Sequence, residues 1–333
     1  MSKAIRWGII GCGDVTEKKS GPAFQLARDS SLVAVMRRRG DLARDYAARH
    51  GVARWYDDAD KLIHDPEVDA VYIATPPSAH KGYALACARA GKPAYVEKPM
   101  ALDEHECREM VDAFRAAGTP LFVAYYRRAL PRFLRVKQWI DAGRIGRVRF
   151  VQIVLHKPAS QADRNAGALP WRVVPEISGG GHFVDLACHT LDLLAWMLGP
   201  IVEATGIADN QAGLYRAEDV VTASLRFAGG ALGTGVWCFA AAEREDRISI
   251  VGDQGMIGLS TFGDVPIQLR AGADAIEEAI AHPAHIQLPL VQSIVDELNG
   301  SGQCPSTGDT GLQTTRVIDQ ILAGWRQRLD AGR

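Results

Sequence analysis

The sequence predicts an α/β protein: a doubly wound parallel sheet in its first third, then a second, strand-rich region. Three observations carry this. From residue 4 to about 125, short apolar runs alternate with amphipathic helical stretches, the pattern of a parallel sheet covered by helices on both faces. The first apolar run ends in "GCG" at 11–13, directly before a helical stretch. After about residue 145 the pattern becomes a series of strand-like runs, several separated by "GG" or "GD" turns.

The elements follow in order. "AIRWGIIG" is a strand ending in glycine, "GPAFQLARD" a helix, "LVAVM" a strand and "GDLARDYAARHG" an amphipathic helix with a glycine stop. "DAVYIAT", "PAYVEKP" and "PLFVAYY" are strands, with the helices "SAHKGYALACARAGK" and "DEHECREMVDAFRAAG" between them. The later strands are "RVRFVQIVLH", "VEATGIAD", "DVVTASLRF", "ALGTGVWCFA" and "DRISIVG". "DTGLQTTRVIDQILAGWRQRL" has helical apolar spacing and closes the chain, with Asp309 as its expected cap.

Bulk composition bounds the function. At 333 residues the chain exceeds one ordinary core, so two domains are expected. A hydrophobic share of 47% and a formal net charge of −1 fit a soluble globular enzyme. They give no general reason to expect nucleic acid or membrane as a partner. Cysteines 12, 87, 107, 188, 238 and 304 show no C-x-x-C pair and no zinc-type spacing. They read as reduced thiols of a cytoplasmic protein. "MSKAIRWGIIGCG" lacks a signal-peptide pattern, and no apolar run is long enough to span a bilayer.

Ligands of doubly wound sheets bind beyond the carboxyl ends of the strands. In "GCGDVT", Gly11 and Gly13 match the first two glycines of a dinucleotide fingerprint, and Asp14 and Val15 follow in the same turn. Such glycines give a tight turn and let the backbone approach a pyrophosphate. The third position holds Thr16 rather than a small residue. "VMRRRGD" places Arg37 about where an acid would meet the ribose of NAD, with Arg38 beside it. Guanidinium groups bind phosphate bidentately, so the 2′-phosphate of NADP is the expected ligand. Asp41 could still reach a ribose, which leaves NAD open.

Gly11-x-Gly13, "ATPPSAH" (74–80), Glu97-Lys98-Pro99 and "GGGHFVDLACHTLDLL" together resemble the Gfo/Idh/MocA oxidoreductases over nearly the whole chain. The resemblance implies NAD or NADP in a Rossmann domain over 1–125. It also implies an α/β domain over 126–333 on a large, open, mostly antiparallel sheet that commonly mediates oligomers. The closing helix, about 309–330, is then expected to pack back near the first domain. The implied partners are a small-molecule substrate and a second copy of the chain, as a homodimer or homotetramer.

The resemblance also assigns roles. Lys98, preceding a proline and so biased toward extended geometry, would contact the oxygen of the carbon that exchanges hydride; a cation there stabilises a developing alkoxide. His189 would be the general acid/base, a task suited to imidazole, and Asp185 would bind substrate and orient the site. Asp185 and His189 stand four apart on a predicted helix and share a face, with Asp192 roughly on it. Thr75, Pro76 and His80 would line the cofactor, and Glu97 would assist there through hydrogen bonds. Tyr125, Tyr126 and Arg127 follow "PLFV" at a strand end, and Trp171-Arg172 resembles a substrate-loop element. An aromatic face beside a guanidinium suits a polyol or an acidic sugar, and core packing suits Trp171 equally. Ala187 replaces a glycine common in the family's helix motif.

His182, Asp185 and His189, at i, i+3 and i+7, can also be read as a metal-binding face. A cationic lysine alongside would repel a metal, so none is expected. The function these features imply is NADP(H)-dependent hydride transfer on a sugar, polyol or related hydroxy/keto compound. A nicotinamide-dependent glycosidase, a non-catalytic ligand sensor and a metal-dependent hydrolase are the alternatives. Residues 156–178 contain no pattern diagnostic of a substrate.

Overall fold

In the computed structural model, which describes residues 3–331, the chain gathers into two units. One runs to Leu130 and includes Pro283–Leu312; the other comprises Pro131–His282 and continues from Gln313.

The first unit is built on six parallel strands: β1 (Ile5–Ile10), β2 (Ser30–Met36), β3 (Arg54–Tyr56), β4 (Ala70–Ile73), β5 (Ala94–Val96) and β6 (Leu121–Val123). Their order is β3-β2-β1-β4-β5-β6, the doubly wound order in which direction reverses beside β1. Its helices are α1 (Asp14–Lys18), α2 (Gly21–Leu26), α3 (Gly40–His50), α4 (Ala59–Ile63), α5 (His80–Arg89) and α6 (Glu104–Ala117). β4, β5 and β6 are buried at every position, as strands covered on both faces must be. β3 and α4 have no sequence counterpart above. The three residues of β3, "RWY", are half-exposed or exposed at the sheet edge and lack an apolar run.

The second unit holds an eight-stranded sheet made of β7 (Val148–His156), β8 (Ile201–Asp209), β9 (Val220–Phe227), β10 (Leu232–Cys238), β11 (Glu245–Gly252), β12 (Gly255–Leu259), β13 (Ile267–Ala271) and β14 (Asp274–Glu278). The order is β14-β13-β12-β11-β7-β10-β9-β8. Only β7 and β10 pair in parallel; the other neighbours are antiparallel. The sequence patterns above do not include β12–β14. Side chains alternate cleanly between the faces: on β10, Gly233, Gly235 and Trp237 point inward while Leu232, Thr234 and Val236 point outward.

Among the helices of the second unit, α7 (Pro131–Asp141) and α8 (Pro175–Ser178) precede α9 (His182–Leu198). α9 packs on the inner face of the sheet, where Phe183 meets Trp237 edge-on at 5.0 Å. Two further helices follow the sheet in the chain: α10 (Leu288–Leu298), which belongs to the first unit, and α11 (Gly308–Ala331), most of which belongs to the second. α11 covers the inner side of β8 so closely that a Cβ on Gly206 would lie 2.6 Å from Ile321 Cγ2. The outer face keeps Ile207, Leu232, Phe150 and Val236 exposed, Ile207 at 73%.

Asp309 is not the cap of α11. The helix begins at Gly308, so Asp309 lies inside its first turn and pairs with Arg115 at 3.2 Å. Thr307 fills the capping place: its hydroxyl accepts the Thr310 N–H at 3.4 Å, and Thr310 Oγ1 accepts the Thr307 N–H at 3.0 Å. This reciprocal pairing is the geometry of a capping box. No disulfide joins any of the six cysteines, and no helix among the described residues is long and apolar enough to cross a membrane.

Candidate active site

The first unit presents a dinucleotide cradle at the carboxyl end of β1. Gly11 sits at φ +88°, and a Cβ there would lie 2.8 Å from Thr75 Cγ2, so only glycine fits the turn. Its N–H donates to the Met36 carbonyl at 2.9 Å, tying the loop to the end of β2. Beside Gly13, by contrast, a Cβ would meet nothing nearer than the Gly11 carbonyl at 3.8 Å. Space for close backbone approach is therefore present where a pyrophosphate requires it. Asp14 is exposed and Val15 half-buried in the first turn of α1. Thr16 takes the third fingerprint position fully buried, and its hydroxyl donates to the Gly13 carbonyl at 2.8 Å.

A cavity of about 510 Å³ opens at the end of β2, lined by Met36, Arg38, Asp57, Asp58, Asp60, Lys61 and Tyr83 among others. Arg37, Arg38 and Arg39 are all exposed. Arg37 Nη1 lies 3.5 Å from the Cys12 carbonyl, at the glycine turn. Arg39 is committed to Asp41 at 2.8 Å, the acid that could otherwise meet an NAD ribose. Thr75 stands at the end of β4 beside Gly11, and its buried hydroxyl has no hydrogen-bond partner among the described residues. Next to it, Pro76 is exposed. The tight Gly11 turn, the open Gly13, the unpartnered Thr75 hydroxyl and the cavity fit a nicotinamide dinucleotide.

Two of the expected cofactor residues, His80 and Glu97, are buried in hydrogen-bond networks. His80 is fully buried. Its Nε2 lies 2.7 Å from the Thr75 carbonyl, and its Nδ1 lies 3.0 Å from the Pro99 carbonyl and 3.2 Å from that of Met100. The ring ties the end of β4 to the segment after Lys98. Burial lowers its proton affinity while these carbonyls raise it, and a neutral ring can donate at one nitrogen only. Glu97 is likewise buried and serves the backbone. Its Oε1 accepts from Tyr72 Oη at 2.6 Å and Gln287 Nε2 at 2.7 Å, and its Oε2 accepts the Lys98 N–H at 3.1 Å. Tyr95 Oη donates to Gln287 Oε1 at 2.8 Å and completes the set. Lys98 itself is half-buried, two residues past the end of β5. Tyr125, Tyr126 and Arg127 are buried, with the Arg127 guanidinium 5.0 Å from the centre of the Tyr126 ring.

In the second unit, α9 carries Asp185 and His189 on one face, both buried. The glycine run before it permits a close approach. A Cβ on Gly181 would lie 2.8 Å from both Ala217 Cβ and the Glu218 carbonyl. The buried Glu218 carboxylate accepts the Gly181 N–H at 2.8 Å, at the start of the helix, where negative charge is favoured. Burial pushes this carboxyl up to about 7. Phe262 meets the His189 ring edge-on at 5.8 Å. Its loop is held by Asp246, which accepts the N–H groups of Thr261, Phe262 and Gly263. Asp192 accepts from Thr314 on α11 at 3.3 Å.

Arg172 Nε lies 3.3 Å from Asp185 Oδ2, and its guanidinium stacks 4.5 Å from the Trp171 ring centre. His182 does not share a ligand set with Asp185 and His189. Its Nε2 is 2.9 Å from Asp163 Oδ1, and no group of three His, Cys, Asp or Glu among the described residues is placed to hold a metal ion.

Comparison with known proteins decides the family. A model described as the oxidoreductase family, NAD-binding Rossmann fold, matches residues 5–125, and a GFO/IDH/MocA C-terminal domain model matches residues 133–258. The chain belongs to the Gfo/Idh/MocA oxidoreductases. It is 36% identical to Oxidoreductase P35 of Formosa agariphila over 323 residues, covering 96% of this chain and 98% of that one. It is 28% identical to 1,5-anhydro-D-fructose reductase of Ensifer adhaerens over 340 residues, covering 98% and 99% respectively. Among solved structures, an NAD binding oxidoreductase from Klebsiella pneumoniae superposes with a TM-score of 0.86 at 25% identity, covering 97% of each chain. The Gfo/Idh/MocA fold expected from the motifs, a parallel Rossmann sheet and a mostly antiparallel second sheet, is the fold observed.

Proposed function

We propose that this Gfo/Idh/MocA oxidoreductase is NADP(H)-dependent and acts on a CH–OH or keto carbon of a sugar, polyol or related compound. The observation that carries the reading is the fixing of Lys98. A buried carboxylate with three hydrogen-bond donors holds its backbone at the carboxyl end of β5, the end where doubly wound sheets bind ligands. Gly11, Gly13, Asp14, Val15, Thr75 and Pro76 hold the dinucleotide, and Arg37 and Arg38 take the 2′-phosphate. The nicotinamide supplies or accepts the hydride. Lys98 stabilises negative charge on the reacting oxygen. His189 carries the proton to or from it, and Asp185 binds substrate and orients the imidazole. Tyr126, Arg127, Trp171 and Arg172 serve substrate recognition. His80 and Glu97 position the segments around Lys98.

Similarity to a reductase of an anhydro sugar supports the substrate class. Six cysteines without a disulfide suit a reducing cytoplasm. The exposed outer sheet face suits a symmetric dimer or tetramer. The test is a screen of sugars and polyols with NADP⁺ and NAD⁺, following absorbance of the reduced nicotinamide. Turnover with a hydroxyl substrate is expected. Release of free sugar without net nicotinamide change would instead identify a glycosidase.

A further inference from the structure

The one parallel pair of the second sheet ends at His156 on β7 and Cys238 on β10. The next residues, Lys157 and Phe239, stand side by side there: the Lys157 N–H donates to the Cys238 carbonyl at 2.9 Å, and the ammonium lies 5.8 Å from the Phe239 ring centre. Lys157 is half-buried, and its ammonium has no hydrogen bond or ion pair among the described residues. An ammonium carries three donors, and taking them out of water without a partner is unfavourable.

The surrounding carboxylates do not meet that need. Asp163 uses Oδ2 on the Ser160 N–H and hydroxyl, at 2.8 and 2.7 Å, and Oδ1 on His182. Asp185 takes Arg172 Nε. The terminal nitrogens of Arg172 make no hydrogen bond among the described residues, and its side chain is 48% exposed. Lys157 feels Asp163 and Asp185 as opposite charges and Arg172 and Arg244 as like charges, and burial lowers its proton affinity. Burial also lowers that of His182, which favours the neutral ring. The Lys157 ammonium and the terminal nitrogens of Arg172 thus keep their hydrogen-bonding capacity.

We propose that Lys157 and the free end of the Arg172 guanidinium form a carboxylate-binding subsite, so that the substrate is a sugar acid rather than a neutral sugar or polyol. An ammonium without a partner complements a negative charge, and the planar guanidinium fork matches carboxylate geometry. Phe239 and Trp171 supply apolar faces for the carbon skeleton. The inference rests on the oxidoreductase reading for its chemistry, but the subsite can be tested by binding alone.

Matched pairs decide it: D-glucuronate against D-glucose, D-galacturonate against D-galactose and D-gluconate against D-glucitol. Each is titrated calorimetrically into the full chain with its nicotinamide and assayed for hydride transfer. A charge-assisted contact corresponds to about ten- to a hundred-fold in affinity. The acid of at least one pair should therefore bind about tenfold or more tightly than its neutral partner. Lys157→Met and Lys157→Gln should each erase most of that ratio, and Lys157→Arg should retain part of it. Nicotinamide titration of each variant shows that it is folded. Failure of every acid to bind preferentially, tighter binding of a dianionic sugar phosphate, or an unchanged ratio in folded Lys157→Met would overturn the subsite. If acids bind through Lys157 but no hydride moves, the redox reading fails and the subsite stands. If neutral sugars are oxidised with no acid preference, the subsite fails and the redox reading stands.

Discussion

The Tyr72 hydroxyl donates to Glu97 Oε1 at 2.6 Å, with both side chains buried. A carboxylate in such surroundings is stable only while its oxygens are occupied, and Gln287, held in turn by Tyr95, is the second donor on the same oxygen. Tyr72→Phe should cost about 1.5–3 kcal/mol of stability. Gln287→Leu should cost more, since it strips partners from both Glu97 and Tyr95. Urea unfolding measures both. Hydride transfer should slow in each variant through loosened placement of Lys98, but by less than in Lys98→Ala. Wild-type stability in Tyr72→Phe would show that the network does not hold the turn.

These same residues mark what was legible in the sequence. Buried strands such as "VYI" and "LFV" announced themselves as apolar runs, and Gly51 stopped α3 as its position suggested. Asp185 and His189 follow from a spacing of four on one helix. The side-chain donors to Glu97 lie 25 and 190 residues away, and no local pattern encodes a partner at that distance. The carbonyls around His80 are hidden for the same reason: those of Pro99 and Met100 lie 19 and 20 residues away. Lys157 and Asp163 fall in a stretch with no diagnostic pattern, and their meaning comes from the ends of β7 and β10 meeting there.

Cofactor choice follows from the end of β2. Arg37 and Arg38 are exposed there, and Asp41 is engaged by Arg39. Against them, Asp57, Asp58 and Asp60 line the cavity beside Arg38, so the preference is set by a balance of charges. A charge-assisted phosphate contact contributes about 1.5–3 kcal/mol. NADP(H) should therefore bind about tenfold or more tightly than NAD(H). Arg37→Ala and Arg38→Ala should narrow that ratio while shifting NAD(H) only a few-fold. Fluorescence titration of both cofactors reads it, and equal affinities in the wild type would refute the assignment.

Glu218 gives stability a pH dependence. Burial raises its carboxyl from 4.5 to about 7, so the native chain keeps this proton at a pH where the unfolded chain has lost it. The contribution is fully present below about pH 4.5 and is lost as pH rises through about 7, by up to roughly 3 kcal/mol. Glu218→Gln cannot titrate, yet its amide oxygen can still accept the Gly181 N–H. Its unfolding free energy should fall less than that of the wild type between about pH 5 and about pH 8. Identical pH slopes for the two proteins would show that Glu218 is ionised throughout.

Association should run through the outer sheet face. Leu232 pairs with Phe150, and Val236 lies four residues along the same strand. With Ile207 they leave an apolar surface exposed in the single chain, a feature that marks interfaces. Sedimentation velocity at micromolar concentration should show a dimer or a dimer of dimers. Val236→Glu with Ile207→Lys should shift the protein toward monomer. A wild-type protein that sediments only as monomer would exclude this surface as a self-association face.

Chemistry and cofactor binding should separate at Lys98 and His189. The proposed roles place Lys98 on the charge of the reacting oxygen and His189 on its proton, and neither is assigned to the adenosine end of the dinucleotide. Proton-transfer assistance contributes ~10²–10⁴-fold in rate, and electrostatic stabilisation of a developing oxyanion is of similar size. Lys98→Ala and His189→Ala should each slow single-turnover hydride transfer on that scale, while cofactor affinity moves only a few-fold. Asp185→Asn should give a milder loss, mainly in substrate binding, because its amide oxygen can still accept from Arg172. Near-normal transfer in Lys98→Ala with a true substrate would remove Lys98 from the chemistry. Loss of cofactor binding in the same variant would make Lys98 chiefly a cofactor ligand and leave proton transfer and oxyanion stabilisation to His189.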